Sequence, residues 1–290
     1  MLRSMYSAVS GLRSHQTMMD VTGNNVSNVN TAGYKSSRTT FQETLTDLVR
    51  GGTMGIAGEQ GGVNPMQLGL GSQVAATDMV FTQGASQNTG RPTDVAIQGD
   101  GFFVVESGGE DYFTRAGAFT VDAGGNLVGP GGEMVQGWVA DPPEELDDDT
   151  VVAGAGIADN DLDALSSVTI DPEAYTDISI AEDGMVTGRD EDGTLFALAQ
   201  LATVRFANAG GLERAGNGLY AESPNAGEVV LDTPGQDGLG GLQGGVLEMS
   251  NVDLAEEFTN LIMAQRGFQA NARSITTSDE LLQELVNLKR

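Results

Sequence analysis

The chain offers few residue sets that could do chemistry. Its 290 residues include no cysteine and one histidine, His15. Thiol nucleophiles, thiolate metal sites and disulfides are therefore excluded. A Ser–His–Asp arrangement would have to use His15, which has no second histidine or cysteine to help it ligate a metal. Gly99-Asp100-Gly101 begins like a dinucleotide loop but lacks the third glycine and a following helix, so it reads as the turn of a hairpin. Asp159-x-Asp161-x-Asp163 begins like a calcium loop, yet Ala164 stands where glycine is needed and Ile170 where glutamate is needed. Paired acids for glycoside hydrolysis are available among 41 carboxylates, but one tryptophan, Trp138, and five tyrosines make a thin sugar-binding cleft. No catalytic, cofactor-binding or metal residue can be named from these patterns. An extracellular enzyme and a calcium-dependent adhesin remain as minor readings.

The elements that must position any function are clearest at the two ends. Residues 254–288 carry apolar or small groups at alternating steps of four and three: Leu254, Phe258, Leu261, Phe268, Ala272, Ile275, Leu282 and Val286. Gln265 and Asp279 are the polar breaks. The first 26 residues repeat the rhythm with Leu2, Met5, Val9, Leu12, Met19 and Val26. A period of 3.5 residues marks helices that pack along a shared seam. The second helix would be about 50 Å long at 1.5 Å per residue, too long for a small domain to cover, so it requires a partner helix. Ser250 or Asn251 can cap it, and Asp253, Glu256 and Glu257 place negative charge in its first turn. Gly267 interrupts it at roughly 1 kcal/mol relative to alanine, with close helix approach as one motive. The first helix runs to about residue 28, where four asparagines in seven positions lead into a turn near Asn30–Gly33.

Charge separates the ends from the middle. The net charge is −27, but residues 1–50 hold five basic and three acidic groups, whereas residues 141–200 hold seventeen acidic groups and only Arg189. The near-neutral ends suit packing against neighbours. The acidic middle suits solvated surface and argues against nucleic acid or anionic membranes. Glycine is 41 of 290 residues, about double the usual share, which favours β-rich architecture with many tight turns. No apolar run is long enough to span a membrane, and residues 1–6 lack the apolar core of a cleaved signal.

The middle reads as short strands. Phe41, Leu45, Leu48 and Val49 suggest a short helix, and glycine-rich 50–75 an extended connector. Strands follow at 95–105, 112–115 and 118–121, a hairpin with an Asp183-Gly184 turn at 178–187, and a strand region at 195–206. Pro142-Pro143 and the acidic stretch 141–164 read as a surface loop. The expected fold is therefore mainly β with paired terminal α-helices: an all-β outer domain, sandwich or small barrel, inserted between coiled-coil-like helices. Its parts are residues 1–35 and 250–290 as the helical domain, 36–90 as a connector, and 91–249 as the β domain with an acidic loop over 141–175.

Three stretches in the right order resemble a known family. Met1-Leu2-Arg3-Ser4-Met5-Tyr6-Ser7 through Gly23-Asn24-Asn25-Val26-Ser27-Asn28 to Tyr34-Lys35 looks like the N-terminal signature of flagellar rod and hook proteins. Thr89-Gly90-Arg91-Pro92-Thr93-Asp94 through Gly101-Phe102-Phe103 resembles their shared β motif. Leu247-Glu248-Met249-Ser250-Asn251 through Gln265-Arg266-Gly267-Phe268 to the C-terminus looks like the hook member's last helix. The resemblance implies a non-enzymatic subunit of the flagellar hook, a curved tube transmitting torque from rod to filament. The distal rod protein is the alternative, because this chain has no large inserted outer domain. It further implies export without a cleaved signal by the flagellar type III apparatus to an extracellular hook or basal-body location. The implied partners are further copies in a helical tube, rod proteins, the hook cap and the hook–filament junction proteins, with no cofactor, nucleic acid or membrane insertion. Inter-subunit helix packing is expected at Met5, Val9, Leu12, Met19, Leu254, Phe258, Leu261, Phe268, Ile275 and Leu282.

Overall fold

A computed structural model describes residues 2–55, 61–145, 162, 165–171, 174–236 and 238–288. Helix α1 spans Leu2–Ser27 and helix α2 spans Leu254–Leu288. Asp253 starts α2: its Oδ1 accepts the backbone N–H groups of Ala255 (2.8 Å) and Glu256 (3.4 Å), so the cap lies two residues beyond the expected Asn251. The chain divides into two compact units. One comprises residues 1–27, 37–80 and 252–290, the other residues 28–36 and 81–251.

The first unit contains both helices and four strands: β1 (Ser37–Glu43), β2 (Thr46–Arg50), β3 (Met66–Gly69) and β4 (Ser72–Met79). The strands pair antiparallel as β1–β4, with Ser37 opposite Met79, and as β2–β3, with Thr46 opposite Gly69. The short helix expected from Phe41, Leu45, Leu48 and Val49 is absent; these residues lie on or between strands. Their i, i+3/i+4 spacing suited a helix, but strand pairing overrides so short a pattern. Much of the expected connector 36–90 is thus paired ribbon. Its apolar side chains face outward: Leu45 is 81% and Met54 93% exposed.

The second unit is β-rich. Its largest sheet has thirteen strands among the described residues. At its centre lies Phe102–Ser107, flanked by Glu110–Thr114 and Met134–Glu145. Phe102, Phe103, Val104 and Val105 are all buried although neighbours in a strand point to opposite faces. The sheet is therefore covered on both sides here. Phe103 meets Phe119 edge to face at 5.1 Å on one side, and Phe102 meets Phe206 at 5.9 Å and Tyr220 at 5.8 Å on the other. Burial of each such side chain stabilises the unit by about 1.5–3 kcal/mol.

Gly99-Asp100-Gly101 is a corner between sheets. Val95–Gln98 pairs with Gly241–Gly244 in a separate two-stranded sheet, while Phe102–Ser107 belongs to the large one. Both glycines hold positive φ (117° and 142°), and a β-carbon on Gly99 would stand 3.1 Å from the Gly240 Cα. The expected hairpin at 178–187 is present, with Ile180 opposite Val186 and Gly184 at φ 85°. Met134–Glu145 runs through Pro142-Pro143, which were expected to break it. The prolines fall within a register shift between Val139 and Glu144, where a missing N–H is tolerated. Most of the acidic stretch, including Asp159, Asp161 and Asp163, lies outside the described residues.

Candidate functional site

The helix pair presents the most distinctive surface. Its inner face is made of small and polar residues: Ala8, Gly11, Ser14 and Thr22 on α1 are buried, as are Ala264 and Ser278 on α2. The contact is close. A β-carbon on Gly267 would stand 2.4 Å from the ring of His15, and one on Gly11 would stand 2.6 Å from Asn271 Nδ2. The missing side chain at Gly267 is what gives the imidazole its place. Farther along, Asn25 Nδ2 donates to Glu257 Oε1 at 2.7 Å and to the Ser37 carbonyl at 2.8 Å, and Asn25 Oδ1 accepts the Ser37 N–H at 3.0 Å. Asn25 thereby pins the start of β1 to both helices. Desolvation raises the Glu257 pKa, opposed by hydrogen bonds from Asn25 and Thr22. The pairs Gly11–Asn271, His15–Gly267 and Asn25–Glu257 show that the helices are antiparallel. In this register the last two turns of α2 extend beyond the start of α1.

The ten residues expected to pack between subunits are not drawn into one core. Met5, Leu12, Met19, Leu261, Ile275 and Leu282 are half-buried. Val9 (38%), Leu254 (40%), Phe258 (50%) and Phe268 (36%) are exposed. Ile262, Met263, Leu281, Val286 and Leu288 add to the exposed apolar surface of α2. Apolar groups in such number on one element mark an interaction surface. Sequence periodicity found the apolar stripe but missed the small-residue face by which the helices meet. Gly267, for which close helix approach was one expected motive, carried the signal, and Gly11 was the part of it left unread.

A second constellation lies inside the β-rich unit. Glu248 Oε1 accepts Lys35 Nζ at 2.6 Å and the Gly84 N–H at 2.9 Å, while Oε2 accepts Arg115 Nη1 at 3.3 Å. Lys35 also donates to the Thr82 carbonyl at 2.9 Å, and Arg115 Nη2 to the Gly99 carbonyl at 2.7 Å. All three charged side chains are almost wholly removed from solvent, at 0%, 3% and 1% exposure for Lys35, Arg115 and Glu248. Desolvation lowers the pKa of both cations, and the Glu248 charge opposes it. The Gly33 N–H donates to the Glu248 carbonyl at 2.8 Å. Gly33 holds φ 69°, and a β-carbon there would stand 2.6 Å from the Ala116 nitrogen. Sequence reading missed this network, because its members are 133 and 213 residues from Glu248.

Among the described residues no group of three or more His, Cys, Asp or Glu is placed to hold a metal ion. Among the same residues no helix is long and apolar enough to cross a membrane. His15 lies against α2 at Gly267, with its Nδ1 buried and without a hydrogen-bond partner among the described residues. The arrangement offers surfaces for packing and a buried lock.

Three family descriptions match in chain order. Residues 5–35 match "Flagella basal body rod protein", residues 96–188 match "Flagellar hook protein FlgE/F/G D1 domain", and residues 243–288 match "Flagellar basal body rod FlgEFG protein C-terminal". The chain is 43% identical over 291 residues to the flagellar basal-body rod protein FlgG of Bacillus subtilis, covering all of both chains. It is 31% identical over 445 residues to the flagellar hook protein FlgE of Borreliella burgdorferi, again covering all of both. The crystal structure of Helicobacter pylori flagellar hook protein FlgE2 overlaps 65% of this chain and 47% of that one at TM-score 0.23 and 15% identity, below the level at which folds correspond.

Proposed function

This chain belongs to the flagellar rod and hook axial protein family, and we propose that it is a subunit of the distal rod of the flagellar basal body. The observation that carries this reading is collinearity. The Bacillus rod protein aligns end to end at almost equal length, whereas alignment with the Borreliella hook protein leaves at least 155 positions with no counterpart in this chain. The hook subunit expected from the C-terminal helix therefore ranks second.

In this role the chain works by assembly, with no substrate to transform. Met5, Val9, Leu12, Met19, Leu254, Phe258, Leu261, Phe268, Ile275 and Leu282 pack α1 and α2 of one copy against those of its neighbours. Burying large apolar groups left exposed in the single chain supplies the driving force. The adjoining partners are other rod proteins and the first hook subunits, and the chain reaches its place through the flagellar export apparatus. Electron microscopy of basal bodies from cells lacking the gene tests the assignment. Rods that stop short and carry no hook support it. A rod of full length that lacks only the hook overturns it in favour of the hook subunit.

A further inference from the structure

We propose that Glu248 is a folding gate: the β-rich unit cannot close until this residue docks between Lys35 and Arg115. The geometry supplies the reason. Lys35 and Arg115 are both buried, and the described residues give each an ion pair with the same carboxylate. Their remaining recorded partners, the carbonyls of Thr82 and Gly99, carry no formal charge. The Phe102 ring faces the Arg115 guanidinium at 5.4 Å, and Asp100 acts on both cations through its charge, with no ion pair to either among the described residues. Without Glu248, closure would bury two like charges with no carboxylate paired to either and only the Asp100 charge to offset them, a state that is strongly disfavoured.

The order of the chain turns this dependence into a sequence of events. A polypeptide made from its N-terminus presents Lys35 and Arg115 well before Glu248. Most strands of the unit precede residue 248, including all of the thirteen-stranded sheet. Glu248 also ends the strand Val246–Glu248, which pairs with Ser86–Asn88, and its carbonyl holds Gly33. One residue thus gathers segments 33–35, 84–86 and 115 at the moment it arrives. An incomplete chain retains two unpaired cations in the place where its core should shut. No other strand carrying a neutral or basic residue can substitute for Val246–Glu248.

Refolding of the full-length chain from denaturant, followed by fluorescence of Trp138, tests the gate. Trp138 is the only tryptophan and lies within the unit. Glu248→Gln keeps the shape and removes the charge. It is expected to slow refolding at least about tenfold and to lower the folding equilibrium constant by roughly a hundredfold or more. Lys35→Met/Arg115→Leu/Glu248→Leu removes all three charges and is expected to refold at the wild-type rate or faster. Wild-type refolding by Glu248→Gln overturns the gate. A triple variant as slow as Glu248→Gln overturns it too, since charge would then not be the cause. If Glu248→Gln does not fold at all, the triple variant decides: a cooperative Trp138 transition supports the gate and its absence refutes it.

Discussion

Gly267 of α2 lies against His15 of α1 so closely that a β-carbon on the glycine would stand 2.4 Å from the imidazole Cε1 and Nε2. With Gly11 against Asn271, this contact sets how near the two helices come. A seam built on small residues lets the backbones approach and leaves larger apolar groups such as Phe258 and Phe268 exposed.

Glycine inside a helix costs about 1 kcal/mol relative to alanine, so Gly267→Ala would ordinarily stabilise α2. Here the added methyl overlaps His15. Gly267→Ala is expected to be neutral or destabilising in the native background and to stabilise by up to about 1 kcal/mol in a His15→Ala background. Denaturant unfolding of the four forms checks this. Equal stabilisation in both backgrounds would mean that the close contact is not real.

Assembly and folding separate along the chain. Phe258→Asp or Phe268→Asp places a charge on the outward face of α2 and is expected to abolish polymer formation by sedimentation. The β-rich unit, whose core is formed by residues such as Phe103, Phe119 and Leu201, should melt within a degree or two of wild type. A large fall in that transition would refute the two-unit arrangement.

How much of this was legible in the sequence depended on range. The heptad rhythm placed α2 at 254–288, where it lies, and α1 within a residue of its end. The Asp183-Gly184 hairpin was readable because its whole signal is local. Phe41 to Val49 misled, since a few apolar residues at helical spacing weigh less than pairing of β1 with β4 and β2 with β3. The hairpin reading of Gly99-Asp100-Gly101 failed because the strands it joins find partners elsewhere: Val95–Gln98 pairs with residues 241–244. Lys35 and Glu248 stood inside the family-like stretches and Arg115 at the end of the strand read over 112–115, but nothing local tells that three charges far apart in sequence share one buried site.

Glu257 gives the helix pair a defined pH dependence. Its folded pKa is raised above the ordinary carboxylate value, first by desolvation. The folded state therefore holds the proton more tightly than the unfolded state. The stabilisation is full below the unfolded value and is lost as pH rises through the folded one. Glu257→Gln is expected to flatten this part of the slope above the ordinary carboxylate range and to leave the pair more stable than wild type at pH 7. Thermal melts of both forms across pH 4–7 check it; a wild-type slope retained in the variant would contradict it.

Charge sets the conditions of assembly. The second unit holds 30 acidic and six basic residues, nearly all of the net charge of −27. Copies brought side by side repel one another until salt shortens the screening length to about 8 Å near 0.15 M. The critical concentration for polymerisation is expected to fall as ionic strength rises from 0.02 to about 0.3 M. A critical concentration that rises over that range would show that interface ion pairs outweigh the repulsion.

Immunogold labelling of purified hook–basal bodies with an antibody to this chain reports its place along the flagellar axis. Gold confined to the distal rod, below the base of the hook, is the expected result. Gold distributed along the curved hook would contradict it.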